Sequence, residues 1–222
     1  MRNTAIVFAR APRLGTVKRR LARDVGTRQA LRFYLRTLSV LLHALAADRR
    51  FRTVLAVTPD RARVRLPLGV GRGVARIGQG GGDLGRRMAR VLGRFAHGRA
   101  ALIGCDIPDA GSADLIAAFR ALGRADAAFG PAEDGGFWLV ALGPRRPAHP
   151  FARARWSGPH ALGDTLCNFR PRRVVLLRWL RDVDSTADLH AVHAALAASS
   201  GTRMKSATDT SPGGRGRPRA SL

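Results

Sequence analysis

Several short segments of this 222-residue chain concentrate residue types that do chemistry. The first runs ARAPRLGTVKRR from Ala9 and carries Arg10, Arg13, Lys18 and Arg20. Guanidinium and ammonium groups beside the N–H groups of a helix start form an anion cradle suited to a diphosphate. Lys18 is the only lysine before position 205, and its compact ammonium suits a phosphate where a bulky planar guanidinium fits less well. A solvated basic loop is the plain alternative for the arginines. The second segment is Ile-Gly-Cys-Asp106-Ile-Pro-Asp109. A carboxylate just beyond a buried strand is placed to hold a hard divalent cation through oxygen; Asp109 reads equally well as a turn residue or as the N-cap of a helix near Ser112. A third, Arg181-Asp182-Val183-Asp184, offers two carboxylates at alternating spacing, which in an extended segment point the same way. One is expected as a second metal ligand and the other as a structural acceptor, or both as loop anchors.

Two glycine-containing loops complete the set. Gly130-Pro-Ala-Glu133-Asp134-Gly135-Gly136-Phe-Trp joins two strand-like runs. It is either a bare hairpin turn or a turn in which Glu133 or Asp134 orients or deprotonates an acceptor hydroxyl while Gly135 and Gly136 admit the substrate to the backbone. Glu133 is the only glutamate in the chain, which favours a role. Gln79-Gly-Gly-Gly82-Asp83-Leu-Gly85 lacks the Gly-Lys-Ser/Thr ending of a phosphate loop, and the Gln79 amide is read instead against a nucleobase edge, with Gly82 and Asp83 completing the loop. His149 and His160 flank Trp156-Ser157, where an acceptor pocket is expected. His43, His97, His190 and His193 have no ligand spacing and read as solvated or core residues.

An alternation of strand-like and helix-like segments positions these groups. The apolar run Thr4 to Ala9 is expected as a buried first strand, with a helix near Lys18 and a long amphipathic helix from Thr27 built on Leu31, Leu35, Leu38, Leu42 and Leu45. Strands follow at Thr53 to Thr58, Val74 to Ile77 and Ala100 to Cys105, the last apolar on both faces as a central parallel strand must be. A helix on Leu84, Met88, Val91 and Leu92 precedes it, and one on Leu115, Ile116, Phe119 and Leu122 follows. Further strands at 127–130, 136–142 and 174–177, a helix around 159–169 and a last helix from Ser185, capped by the Ser185/Asp188 pair, complete an α/β domain over residues 1–200. Residues 201–222 are Gly, Ser, Thr, Pro and Arg without apolar period and are expected to be a disordered basic tail. Ligands of open α/β sheets bind beyond the carboxyl ends of the strands, where the loops named above fall.

Composition narrows the function classes. The formal charge is +24, which invites a nucleic-acid reading, yet the excess is +19 over the first hundred residues and −2 over the next fifty. Uniform basicity is thereby excluded, and with aromatics at only 6% a stacking platform for single strands is disfavoured. Cys105 and Cys167 lie too far apart for a Cys-x-x-Cys site; both read as buried thiols. The longest apolar stretch, around 38–47, contains His43 and is about half of the ~20 residues that a bilayer span needs, and no secretory core precedes Arg10, so the expected compartment is the cytoplasm.

Taken in order, FARAPRLGTVKRRLA, QGGGDLGRRM, LIGCDIPD, GPAEDGGFWLVAL, RWSGP and RDVDSTADL resemble the radical-SAM/selenodomain-associated transferases, also labelled arsenosugar-biosynthesis glycosyltransferases. These are a branch of the GT-A nucleotide-diphospho-sugar transferase superfamily, with a more distant similarity to guanylyltransferases. The resemblance implies a Rossmann-like GT-A fold, three-layer α/β/α with a mixed, mostly parallel sheet. It also implies a Mg²⁺ (or Mn²⁺) nucleotide site with Lys18 and Arg20 on phosphate, Asp106 and Asp184 on metal, Gln79 and Gly82 at the base, and Asp134 in the acidic turn. Arg19, Cys105 and Phe137-Trp138 depart from the family pattern. The function expected is transfer of a sugar from a nucleoside diphospho-sugar to a small-molecule acceptor, with Asp134 as base and Lys18 assisting. Nucleotidyl transfer with release of pyrophosphate is the alternative, and a homo-oligomer is compatible with either.

Overall fold

The computed structural model describes residues 2–181 apart from 63, 65, 68, 69 and 71. Strand β1 (Asn3–Arg10) alternates its side chains between two cores: Ala5, Val7 and Ala9 face one, Ile6 and Phe8 the other. That is the pattern of a central strand covered on both sides. β1 pairs in parallel with β2 (Phe51–Thr58) on one side and with β4 (Ala100–Gly104) on the other. β3 (Ala75–Gly78) extends the sheet beyond β2. On the far side, β6 (Phe137–Leu142) lies antiparallel between β4 and β5 (Ala127–Pro131), and β7 (Val174–Leu176) closes the edge beside β5. The seven strands run in the order β3-β2-β1-β4-β6-β5-β7, a mixed, mostly parallel Rossmann-like sheet.

Helices cover both faces. α1 (Arg19–Val25), α2 (Thr27–Ala47) and α4 (Ser112–Ala121) pack on one, where Leu38, Leu42 and Leu45 of α2 and Leu115 and Phe119 of α4 meet the strands. α3 (Leu84–Gly93) and α5 (Ala161–Cys167) cover the other through Met88, Val91, Leu92 and Leu162. By length and composition α2 would pass for a membrane span, but Leu38, Leu41, Leu42 and Leu45 lie in the protein core and the exposed Arg28, Arg32 and Arg36 occupy other faces, the division of a core helix on a sheet. Element positions agree with the sequence reading to within a few residues. One expectation fails: Cys105 is buried but Cys167 is exposed, because it ends the short helix α5 on the side away from the sheet. The last helix from Ser185, its capping pair and the 201–222 tail lie outside the described residues.

Candidate functional site

At the carboxyl ends of β1, β2 and β4 a cavity of about 420 Å³ opens between the 16–20 loop and α3. The Tyr34 hydroxyl, projecting from α2, organises its floor. It donates to the Arg10 carbonyl at 2.8 Å, accepts from the Arg10 N–H at 2.9 Å and accepts from the Cys105 thiol at 3.1 Å. The clip uses both backbone groups of Arg10 and holds the end of β1 where its guanidinium faces the cavity. Burial raises the Tyr34 pKa far above the ordinary phenol value, with Cys105 adding to the rise. Burial likewise pushes the Cys105 thiol up to about 12, so neither group is a nucleophile near neutrality.

Lys18 immediately precedes α1 in the left-handed conformation (φ 46°, ψ 49°). A non-glycine residue held there carries backbone strain, which native structures retain where the surroundings over-determine it. Here the strained turn delivers Lys18 Nζ to 3.3 Å from Asp106 Oδ2. The lysine side chain is 4% exposed and the aspartate 41%, so the ammonium is sunk in protein while the carboxylate looks into open space.

Asp106 also lines a second cavity of about 420 Å³, with Asp134, Gly136, Phe137, Trp138, Trp156 and Ser157. Phe137 and Trp156 meet edge to face with centroids 6.2 Å apart, and Phe151 stacks behind Phe137 at 6.4 Å. The indole of Trp138 lies against Gly130, where a Cβ would collide with it. The turn that presents Asp134 is a hairpin: Asp134 Oδ1 accepts from the Gly136 N–H at 2.9 Å. Gly135 holds φ +82° against the backbone of Pro159, a position closed to a side chain by both conformation and space. The two cavities meet at Asp106, Phe8 and Leu84.

The structure sorts the expected residues. Arg10, Lys18, Arg20 and Gln79 line the first cavity, Asp134, Gly136, Trp156 and Ser157 the second, and Asp106 both. Arg13 stands outside these walls, in an exposed turn whose carbonyl is taken by Thr16. Gly82 lines neither cavity, and Asp83 serves as N-cap of α3, accepting from the Arg86 N–H at 2.8 Å. The Gln79 amide is engaged within the sheet. Gln79 is 1% exposed, and its amide nitrogen donates to the Ala9 and Ala56 carbonyls, each at 2.9 Å. Those bonds stitch the ends of β1 and β2 together and leave that NH₂ no capacity for a ligand. Glu133 lines neither cavity and pairs with Arg181 at 2.6 Å, and Gly135 serves the turn rather than the cavity wall. Asp109 caps no helix: Gly111 is the N-cap of α4, and the Asp109 carbonyl accepts from Arg178. Asp182 and Asp184 lie outside the described residues.

Sequence reasoning missed Arg87. The Gln79 Oε1 accepts from its Nη1 at 3.1 Å, and its guanidinium lines the first cavity. Burial, then the charge of Arg10, lower its pKa from the ordinary guanidinium value, and no carboxylate ion-pairs with it among the described residues. The signal was present as Leu84, Arg87 and Met88 at helical spacing, hidden by the abundance of arginine.

Asp106 and Asp134 supply hard oxygen donors facing one space, which fits Mg²⁺ or Mn²⁺ in kind. Among the described residues no cluster of three metal-binding side chains forms, so these carboxylates would need further ligands from solvent, substrate or the residues after 181.

Comparisons with known proteins agree with this architecture. No curated protein matches the chain. A solved structure from Desulfovibrio desulfuricans G20, described as a candidate nucleotide-diphospho-sugar transferase, is 28% identical with a TM-score of 0.76, covering 86% of this chain and 87% of its own. The 4-diphosphocytidyl-2C-methyl-D-erythritol synthase of Anaerococcus prevotii DSM 20548 shares the fold at 10% identity and TM-score 0.56, over 88% of this chain and 96% of its own. A cytidylyltransferase of Leptospira borgpetersenii does so at 13% and 0.55, over 85% and 84%. These structural neighbours are transferases, and the chain has the fold of nucleotide-diphospho-sugar transferases. A family model matches residues 41–158, from the last turns of α2 through Trp156 and Ser157, more than half of the sequence. The chain belongs to that family, described as an uncharacterized protein conserved in bacteria (DUF2064).

Proposed function

We propose that this protein transfers a glycosyl group from a nucleoside diphospho-sugar to a small acceptor, assisted by Mg²⁺ or Mn²⁺. The observation that carries the reading is the position of Asp106, shared by a basic cavity and an aromatic one. In the basic cavity Arg10, Arg20 and Arg87 receive the diphosphate through charge-assisted bonds. In the aromatic cavity Phe137 and Trp156 offer apolar ring surface to a sugar or acceptor, the mix of apolar wall and few polar groups typical of ligand sites. Asp106 would hold the cation, which when bound supplies charge stabilisation to the departing diphosphate. Asp184 remains the sequence-based candidate for a further ligand. Lys18 stands beside Asp106 and offsets negative charge where the two cavities meet. Asp134 is the candidate base; its Oδ1 is oriented by the Gly136 N–H, which leaves Oδ2 for an acceptor hydroxyl.

A nucleotidyl transfer that releases pyrophosphate is favoured by one observation, the crowding of Arg10, Lys18, Arg19, Arg20 and Arg87 against the single carboxylate of Asp106, which matches a triphosphate. A thermal-shift panel of nucleoside diphospho-sugars and triphosphates, with and without Mg²⁺, is the first test, since a ligand that binds only the native state raises its melting temperature. Stabilisation by diphospho-sugars followed by turnover without pyrophosphate supports glycosyl transfer. Pyrophosphate release transfers the assignment to the alternative, and full turnover by Asp106→Ala overturns both.

A further inference from the structure

A third cavity, of about 350 Å³, opens at the amino ends of β1, β2 and β4, on the opposite edge of the sheet from the catalytic candidates. Arg2, Arg52, Arg94 and Arg99 line it with His97, and no acidic residue does. Some arginines elsewhere are matched by carboxylates, Arg50 by Asp48, Arg145 by Asp126, Arg155 by Asp164 and Arg178 by Asp114. None of the four arginines here is ion-paired among the described residues. Their mutual repulsion is left uncompensated, and a concave surface concentrates the resulting potential.

The walls are also held in place. Arg52 lies over the Phe95 ring at 5.3 Å, a cation–π contact that fixes its guanidinium. Arg2 donates to the Arg49 carbonyl at 2.8 Å. Behind the cavity Arg146, half-buried, donates to the carbonyls of Leu92 and Gly98, each at 3.0 Å, and of Gly143 at 2.9 Å. It thereby pins the turn from α3 that carries Arg94, Phe95 and His97, and adds a fifth positive charge from within. Pre-set guanidinium forks match phosphate oxygens, and pre-organisation lowers the entropy lost on binding.

We infer that this cavity is a second anion site, separate from the catalytic cavities, for the phosphate chain of a small polyphosphate or nucleotide. The phosphate chain alone is recognised, because the one aromatic face in the cavity is already covered by Arg52 and no ring remains to stack a base. The inference stands apart from the reading of the catalytic cavities.

The experiment is calorimetric titration of the full chain with tripolyphosphate and, separately, with a nucleoside triphosphate, at fixed ionic strength. Arg52→Gln/Arg94→Gln/Arg99→Gln is compared with wild type, and far-UV circular dichroism checks that this variant of exposed residues is folded. Loss of one binding event in the triple variant is expected, with affinity at that site down by about tenfold or more. The same event survives in Arg87→Gln, whose side chain belongs to the first cavity, and its affinity is alike for the two ligands. Unchanged stoichiometry and affinity in the triple variant would overturn the inference. So would competition by sulfate as effective as by tripolyphosphate, which marks an adventitious ion only, or binding of single-stranded RNA where tripolyphosphate fails to bind.

Discussion

The Lys18–Asp106 pair offers a measurement in which the geometry dictates an unequal outcome. At 3.3 Å the attraction between unit charges is about 1 kcal/mol in water and about 5 kcal/mol at an effective dielectric of about 20. With Lys18 4% exposed and Asp106 41% exposed, solvent reaches one partner only, which places the coupling between those limits, at about 1 to 3 kcal/mol. The single variants must then differ. Lys18→Met keeps the buried stem and leaves a carboxylate that cavity water solvates, so it costs about 1 kcal/mol. Asp106→Asn strips this carboxylate from an ammonium held within protein, where desolvation dominates, and costs about 2 to 3 kcal/mol. For a chain of this size the second loss lowers the melting temperature by roughly 4 to 12 °C. Urea unfolding of wild type, both single variants and the double variant yields the coupling directly, and added salt should change it little because the pair is part-buried. Equal costs for the two variants, a reversed order, or additivity within about 0.5 kcal/mol would refute the assignment of Lys18 as the desolvated partner.

Four further outcomes follow from the geometry. Arg87→Gln removes a guanidinium charge from the first cavity while sparing the Gln79 bonds to β1 and β2, and donor KM should rise about 10- to 100-fold with kcat little changed, read by steady-state kinetics. Gly135→Ala, blocked by φ +82° and by the Pro159 backbone, should destabilise by about 2 kcal/mol or more, visible in thermal unfolding. Arg155 holds the Asp164 carboxyl well below its ordinary value of 3.8. The folded state is then deprotonated where the unfolded chain takes up its proton, so this contribution is full above about pH 4 and is lost as pH falls through the unfolded and then the folded value; Asp164→Asn should flatten that acid limb in urea titrations between pH 2 and 6. Iodoacetamide should label the exposed Cys167 in native protein and reach Cys105, 4% exposed, only on unfolding, as counted by mass spectrometry.

Most of the fold was legible because its strands are bounded by polar loops and its helices carry one apolar stripe, as in α2 and α3. The Lys18 loop, Asp106 and the Asp134 turn were legible too, since each stands where an apolar run stops. Three kinds of fact were not. Gln79 looked like a ligand-reading amide, but only the parallel pairing of β1 with β2 reveals the carbonyls of Ala9 and Ala56 converging on it. Glu133 was singled out for being the only glutamate, whereas its neighbour in space, Arg181, is 48 residues away in sequence. Arg87 could not be told from other arginines until the surroundings showed which of them had a carboxylate.

The deepest gap was strand order, and it bears on function. The short turn between the 127–130 and 136–142 runs reads as a hairpin, but nothing in the sequence says on which side of β5 its second strand lies. In the structure β5 skips one position and β6 returns antiparallel into the gap beside β4. Because β6 begins at the edge where β4 ends, the 132–136 turn is brought beside Asp106 rather than a strand's width away. A one-residue slip in that antiparallel pairing would turn Trp138 to the opposite face of the sheet. The register Ile103 to Leu139, together with the indole seated on Gly130, resists that slip. The antiparallel hairpin is thus the element that sets a second cavity beside the first, with Asp106 lining both, the arrangement on which the proposed transfer rests.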